Sequence, residues 1–214
     1  MEITWYGHSC FRLVERGMAS VVIDPYNYKA IGYSPLKLRA DIVAVSHDAS
    51  GHNYLSAVKG KYHLINGPGE YEIGGVFVTA VQTNRRSQTD VGSRNTLFVF
   101  DFNGVTVAHL GNLQRVPSQT KIEALGDVNV ALVPVGGGGG LNASKAAEVV
   151  SLLEPGIVIP MHYQTPDRKV DLETVDKFLK EMGVGTLESQ PTLKITKSNI
   201  PTETRVVLLD RKHS

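Results

Sequence analysis

Ile42 to Tyr54, IVAVSHDASGHNY, is the stretch whose reading decides the fold of this chain. Ile42 to Val45 is a short, β-branched apolar run of the kind that forms a buried strand. It runs straight into Ser46 to His52, a polar turn carrying two histidines. A buried strand that ends in such a turn points both imidazoles beyond the sheet edge, where the functional groups of layered α/β proteins collect. His47 and His52 are therefore candidate functional residues. Asp48 beside them is a candidate general base, although an acid there is more often an ordinary solvated loop residue.

Outward from this stretch, the first third of the chain reads as strands. Ile3 to Tyr6, Cys10 to Val14 and Ser20 to Asp24 are short β-type runs, separated by Gly7-His8-Ser9 and Arg16-Gly17. Pro25 ends the third run because proline cannot donate to a ladder. Tyr26 to Ala40 has no clear periodicity and reads as a loop. Tyr62 to Ile65 is a further strand, closed by the turn formers Asn66-Gly67-Pro68-Gly69, and the loop continues through Glu70-Tyr71. Gly75 to Val81, Thr96 to Phe100 and Val105 to His109 follow as strands, with Asn103-Gly104 the hairpin turn between the last two.

Three helices are expected. Ser118 to Leu125 has Ser118 at its N-cap and Gly126 at its stop. Asn142 to Leu153 places Ala143, Ala146, Ala147, Val150 and Leu153 on one stripe. Asp171 to Met182 starts on an Asp cap and stops at Gly183. Strands Val128 to Val135 and Ile157 to Met161 lie between them, and Val206 to Leu209 closes the sheet. Gly136 to Gly140 reads as a loop before a helix; an anion cradle of backbone amides is the sharper alternative. Strands interleaved with helices in this way imply two sheets covered by helices, an α/β or α+β protein.

Composition narrows the function classes. The 214 residues suit one domain over 1–214, with 42% hydrophobic and 20% charged residues as in ordinary globular proteins. Lys+Arg at 22 against Asp+Glu at 21 leaves a formal charge of +1, which offers no general attraction for nucleic acid or anionic membrane. A single cysteine, Cys10, excludes an internal disulfide and suits a reducing compartment. MEITWYGHSC lacks the features of a signal peptide, and no apolar run approaches the roughly 18 residues of a membrane span. A cytoplasmic protein is expected, whose partner is a small-molecule ligand or substrate; a homo-oligomer is compatible with these features.

Several segments resemble the metallo-β-lactamase fold. The Ser46 to His52 turn resembles its His-x-His-x-Asp-His signature, with His47 and His52 as first and last histidines, Ala49 in place of the second and Gly51 in place of the aspartate. ITWYGHSCFRL followed by VVIDP looks like the branch holding ascorbate-6-phosphate lactonases and many zinc-dependent hydrolases. VAHLGNL (Val107 to Leu113) is similar to the segment of the bridging aspartate, and IVIPMHY (Ile157 to Tyr163) to that of the last metal-binding histidine. The resemblance implies a four-layer αββα sandwich. It assigns His47 to a first metal and His52 and His162 to a second, puts Asn112 at the bridging position, and aligns Arg85 with the missing third histidine of the first site. It places His8 at the mouth of the cleft as a candidate catalytic residue. His63 and His213 read as structural or exposed.

The implied site lacks much of what a two-metal hydrolase uses. Asn112 is neutral where a carboxylate belongs, Gly51 removes another anion, Ala49 offers no donor, and Arg85 would repel a cation. What remains is at most one zinc held by His52 and His162 with help from His47, His109 or Asn112. Without metal, Arg85 and these histidines either form an anion site, with Arg85 and Asn112 as ligand-binding residues, or are hydrogen-bonded relics beside a solvated Arg85-Arg86 pair. The expected function is a hydrolase-like one on a small anionic substrate, with a mononuclear or metal-free site. The alternative is a non-catalytic pseudo-hydrolase binding a small anionic ligand or a protein partner.

Overall fold

The computed structural model describes residues 1–83, 94–166 and 171–213. The first part of the chain supplies strands β1 (Glu2–Gly7), β2 (Cys10–Val14) and β3 (Val21–Ile23), helix α1 (Tyr28–Ile31), and strands β4 (Leu38–Arg39), β5 (Ile42–Ala44), β6 (Val58–Lys59) and β7 (His63–Ile65). Four further strands follow: β8 (Gly69–Ile73), β9 (Val76–Thr83), β10 (Asn95–Asp101) and β11 (Thr106–His109). Helices then alternate with strands as α2 (Gln119–Glu123), β12 (Val130–Pro134), α3 (Ala143–Leu153), β13 (Ile157–Met161) and α4 (Val175–Glu181). The short strands β14 (Ser189–Gln190), β15 (Leu193–Lys194), β16 (Arg205–Val206) and β17 (Leu208–Leu209) complete the chain.

Two sheets carry the architecture. One runs β15-β1-β2-β3-β5-β7, the other β16-β13-β12-β11-β10-β9-β8. Val21, Ile23, Ile42 and Ala44 face the core that both sheets share, while Val22 and Val43 point the other way, into a cluster with Tyr26, Ile31, Tyr33 and Leu38. Burial on both faces is why β3 and β5 are apolar at every position. The Tyr26 to Ala40 segment, a loop by sequence, is thus the outer layer of that sheet. It folds because Asn27 caps α1 through Lys29 N and Gly32 closes it at φ 99°. On the other sheet α3 packs against β12 and α4, with Ala146, Val149 and Phe178 fully buried. The result is the expected mixed α/β sandwich of four layers.

Several boundaries differ from the sequence reading, each for a local reason. Gly69 to Ile73 is strand β8, folded back on β9 by Gly74 and Gly75 at φ 55° and 82°. The Asn103-Gly104 turn is as read, with φ 54° and 81° and a Phe102–Val105 backbone pair at 3.0 and 3.3 Å. Helix α4 starts after Thr174 rather than Asp171. Leu172 N donates to Gln164 Oε1 and Glu173 N to Gly136 O, so these residues tie down the loop after β13 instead of beginning a helix. On α3 the buried stripe runs through Val149, with Ala147 and Leu153 only partly buried. Val206 to Leu209 divides between β16 on β13 and β17 on β14.

Gly136 marks where the glycine run meets the β13 loop. A Cβ there would stand 2.3 Å from His162 O and 2.7 Å from Tyr163 Cα, backbone atoms that cannot step aside. Gly136→Ala should therefore cost about 2–3 kcal/mol in chemical denaturation. Gly183→Ala, at φ 67° with open space around it, should cost only about 1 kcal/mol.

Candidate functional site

The turn after β5 is held from beneath. Asp24, at the end of β3, is fully buried at φ 48°, and its carboxylate accepts from Ser46 N at 2.7 Å and Ser46 Oγ at 2.6 Å. Burial pushes the Asp24 carboxyl up to about 8, against those two hydrogen bonds, which pull it down. Ser46 Oγ also lies 3.0 Å from His47 Nδ1. Burial lowers the His47 ring to about 4, opposed by Asp48, so His47 is neutral at pH 7. Further along, His52 N and Asn53 N both donate to Ala49 O, at 2.8 and 2.9 Å, and this single helical turn buries Gly51 and His52.

A second turn closes over the first. Gly7 pairs with Cys10, leaving His8 and Ser9 as a tight hairpin loop, with Gly7 at φ 101° and His8 at φ 54°. The turn is buried, so its polar atoms need partners inside the protein. His8 O accepts from Trp5 Nε1 at 3.1 Å and from His162 N at 3.0 Å. Ser9 O lies 2.9 Å from His109 Nε2, and Ser9 Oγ lies 3.2 Å from His52 Nε2. His162, just beyond β13, adopts φ 54° as well.

These turns bring four imidazoles together. Ring centroids lie 4.5 Å apart for His8–His52, 4.3 Å for His8–His162 and 4.0 Å for His47–His52. His8, His52 and His162 are 3%, 3% and 5% exposed, and one ligand nitrogen from each lies within 4.8 Å of the others. Three imidazoles around one point match the donor set of a catalytic zinc. Asp24, His47 and His52 form a second group within the same distance. That group is less open to an ion, because Ser46 already engages both carboxylate oxygens and His47 Nδ1. Beside His47 opens a cavity of about 300 Å³, walled by Ser46, Asp48, Asn66, Gln82, Arg94 and Thr96.

Residues 2–162 match the family described as the β-lactamase superfamily domain. The chain belongs to this family. A UPF0173 protein of Pyrococcus abyssi is 30% identical over 189 residues, 77% of this chain and 84% of the relative. A UPF0173 metal-dependent hydrolase of Thermoplasma acidophilum is 29% identical over 193 residues, 78% of this chain and 85% of the relative. Among solved structures, a candidate zinc-dependent hydrolase of the metallo-β-lactamase superfamily from Thermotoga maritima superimposes with a TM-score of 0.80, at 34% identity and covering 97% of each chain. A metallo hydrolase of Ignicoccus hospitalis shares the fold, at TM-score 0.67 and 20% identity over 91% of this chain and 99% of its own.

The sequence-derived site residues fall into place unevenly in this β-lactamase superfamily member. His47, His52 and His162 meet. His8, read as standing at the cleft mouth, is instead buried between His52 and His162, because its turn is drawn inward by the bonds to His8 O and Ser9. His109 does not join the cluster. Its Nε2 faces Ser9 O and its Nδ1 accepts from Gly111 N at 3.1 Å, so both ring nitrogens serve the backbone. Asn112 N donates to Asn95 Oδ1, and its own Oδ1 lies 2.6 Å from where a Cβ on Gly140 would stand, against the glycine-rich loop. Asp48 is exposed at the cavity wall and accepts from Asn53 Nδ2 at 3.0 Å. Arg85 lies outside the described residues.

Sequence reasoning left Asp24, Ser9 and Arg94 without a role. The signal for Asp24 was present: an acid closing an apolar strand just before proline, VVIDP, has nowhere to go but inward. Ser9 acts through contacts across the fold, which no local pattern announces, and Arg94 stands at the cavity wall.

His109 gives a pH test. Burial lowers its ring to about 4 from 6.5, so the unfolded ring takes up a proton first as pH falls. Its contribution is complete above pH 6.5 and is lost as pH drops toward 4, amounting at most to about 3 kcal/mol. Denaturation curves at pH 7 and 4.5 should show wild type losing more stability than His109→Gln by an amount of that order.

Proposed function

We propose that this chain is a metal-dependent hydrolase working with one divalent ion, zinc by donor type, on a small anionic substrate. The observation that carries this reading is the convergence of buried imidazoles around His52 and His162, with His47, whose ring lies 4.0 Å from that of His52, lining the 300 Å³ cavity. Relatives named as metal-dependent hydrolases, similar over most of their length, support it. One ion rather than two follows from the donors: Ala49 offers no ligand atom, Asn112 brings no charge, and both imidazole groups depend on His52.

When bound, the ion supplies Lewis acidity to polarise a carbonyl or phosphoryl oxygen and to acidify water. The chain's own residues do the rest. Neutral imidazoles leave the full dication charge uncompensated, and Arg94 adds positive charge at the cavity wall, so an anionic group is drawn in. His47 stays neutral and is oriented by Ser46. Asp48, steadied by Asn53, is the carboxylate on the cavity side that takes a proton from water and returns it to the leaving group.

Elemental analysis of the purified protein should give one equivalent of zinc per chain. Chelation should abolish hydrolysis of small phosphoesters and lactones and lower the melting temperature. Two equivalents would overturn the single-ion reading, and no uptake would leave a ligand-binding protein in its place. Arg94→Ala should raise KM for anionic substrates by about 10-fold, the size of one charge-assisted contact, with zinc content unchanged.

A further inference from the structure

We propose that two copies of this chain join along the open flank of the sandwich, edge strand β8 of each copy pairing with edge strand β7 of the other. Sheet order places β7 last in one sheet and β8 last in the other. The chain passes between them through Asn66-Gly67-Pro68 alone, so both edges lie on one side of the molecule. Among the described residues, no strand pairs with the outer edge of either. Each edge therefore offers a row of backbone donors and acceptors to a further strand. Proline and bulges, which commonly blunt such an edge, are missing from β8. Its register with β9 runs unbroken from Gly69 opposite Ala80 to Ile73 opposite Val76.

The burial of β8 is unfinished. Tyr71 and Ile73 pack against the core shared by both sheets but are only partly buried, because the sheet ends there. The other face of β8 carries Glu70 and Glu72, and Phe77 of β9, directly across from Glu72, is 54% exposed. Leu64 of β7 is 41% exposed and pairs with Val43, which places it on the outer face of its own sheet. Phe77 and Leu64 are two of the three exposed large apolar side chains among the described residues. When the sheets of two copies run into each other across a seam, their outer faces become one face. The partner's Leu64 then stands on the same face as Phe77, with β8 between them.

Charge decides which edges meet. Strand β8 exposes Glu70 and Glu72, whereas the chain leading into β7 exposes Lys59 and Lys61. Pairing β8 with β8 sets glutamates against glutamates; pairing β8 with β7 brings them to lysines. A two-fold axis along the flank makes both unlike seams at once and uses both of its edges, so association stops at two. Asn66, Gly67 and Pro68 also line the cavity beside His47, so the seams end at the wall of the candidate site.

Sedimentation equilibrium of the full chain tests this on wild type, Glu70→Lys/Glu72→Lys, Lys59→Glu/Lys61→Glu, and an equimolar mixture of the two variants. All four positions are exposed, so both variants should keep the fold, which circular dichroism checks. Wild type should be a dimer. Each variant alone sets like charges along both seams and should dissociate, with Kd raised on the order of 100-fold. The mixture should restore a dimer holding one copy of each variant, because both of its seams again join unlike charges. Wild type that stays monomeric overturns the proposal and leaves the glutamates as guards of a blunted edge. Folded variants that dimerise as well as wild type overturn it too, since that is the outcome of β8 on β8, β7 on β7 or another interface. So does a mixture that stays monomeric, or wild type that grows beyond two copies.

Discussion

The fold depends on a buried polar seam between two apolar sheets. The β1–β2 turn belongs to one sheet, yet its two carbonyl oxygens are satisfied by donors from the other: His162 N on His8 O, and His109 Nε2 on Ser9 O. A hydrophobic interface alone tolerates sliding, because burial is non-directional. A buried carbonyl deprived of its donor costs about 1–3 kcal/mol, so each of these bonds penalises any register but one. The seam fixes where the ends of β11 and β13 sit relative to the turn after β5, and with that the meeting point of the histidines.

This explains what the sequence could and could not disclose. Strands buried on both faces, such as β5, β12 and β13, announce themselves as unbroken apolar runs, and the shared core follows from them. Strand β8 does not, since Glu70 and Glu72 are exposed on the edge of the sheet and Gly67-Pro68-Gly69 reads as a turn. The start of α4 is hidden for another reason: its would-be first residues spend their amides on Gln164 and Gly136, partners several residues away or on another loop.

The histidines show the limit most sharply. His8 and His109 each sit beside a strand end next to small residues, and nothing local separates them. One is a ring packed against the His52 and His162 imidazoles and the other a brace between two backbone segments. The difference lies in whether the ring nitrogens meet backbone groups, a property of tertiary contacts at sequence separations near 100. Gly51 has the same character: in sequence it is a residue without a side chain, and in the structure the His8 ring stands 2.6 Å from where its Cβ would be.

Backbone strain points to the same place independently. Among the described residues, five other than glycine have positive φ: His8, Asp24, Asn103, Glu154 and His162. Asn103 and His8 are accounted for by their hairpin turns, His8 standing first in the two-residue loop between Gly7 and Cys10, and Glu154 by its position at the α3 C-cap. Neither a hairpin nor a helix end requires the other two, Asp24 and His162, and a left-handed conformation costs a residue with a Cβ about 1–2 kcal/mol. Such conformations persist only where surrounding contacts over-determine them, and they gather where a protein's function needs side chains aimed off the regular geometry. His8 and His162 carry two of the converging imidazoles, and Asp24 holds Ser46, which orients a third. Asp24 is held by Ser46 N and Ser46 Oγ, and His162 by its amide on His8 O, so buried hydrogen bonds keep both positions bent and set where the imidazoles meet.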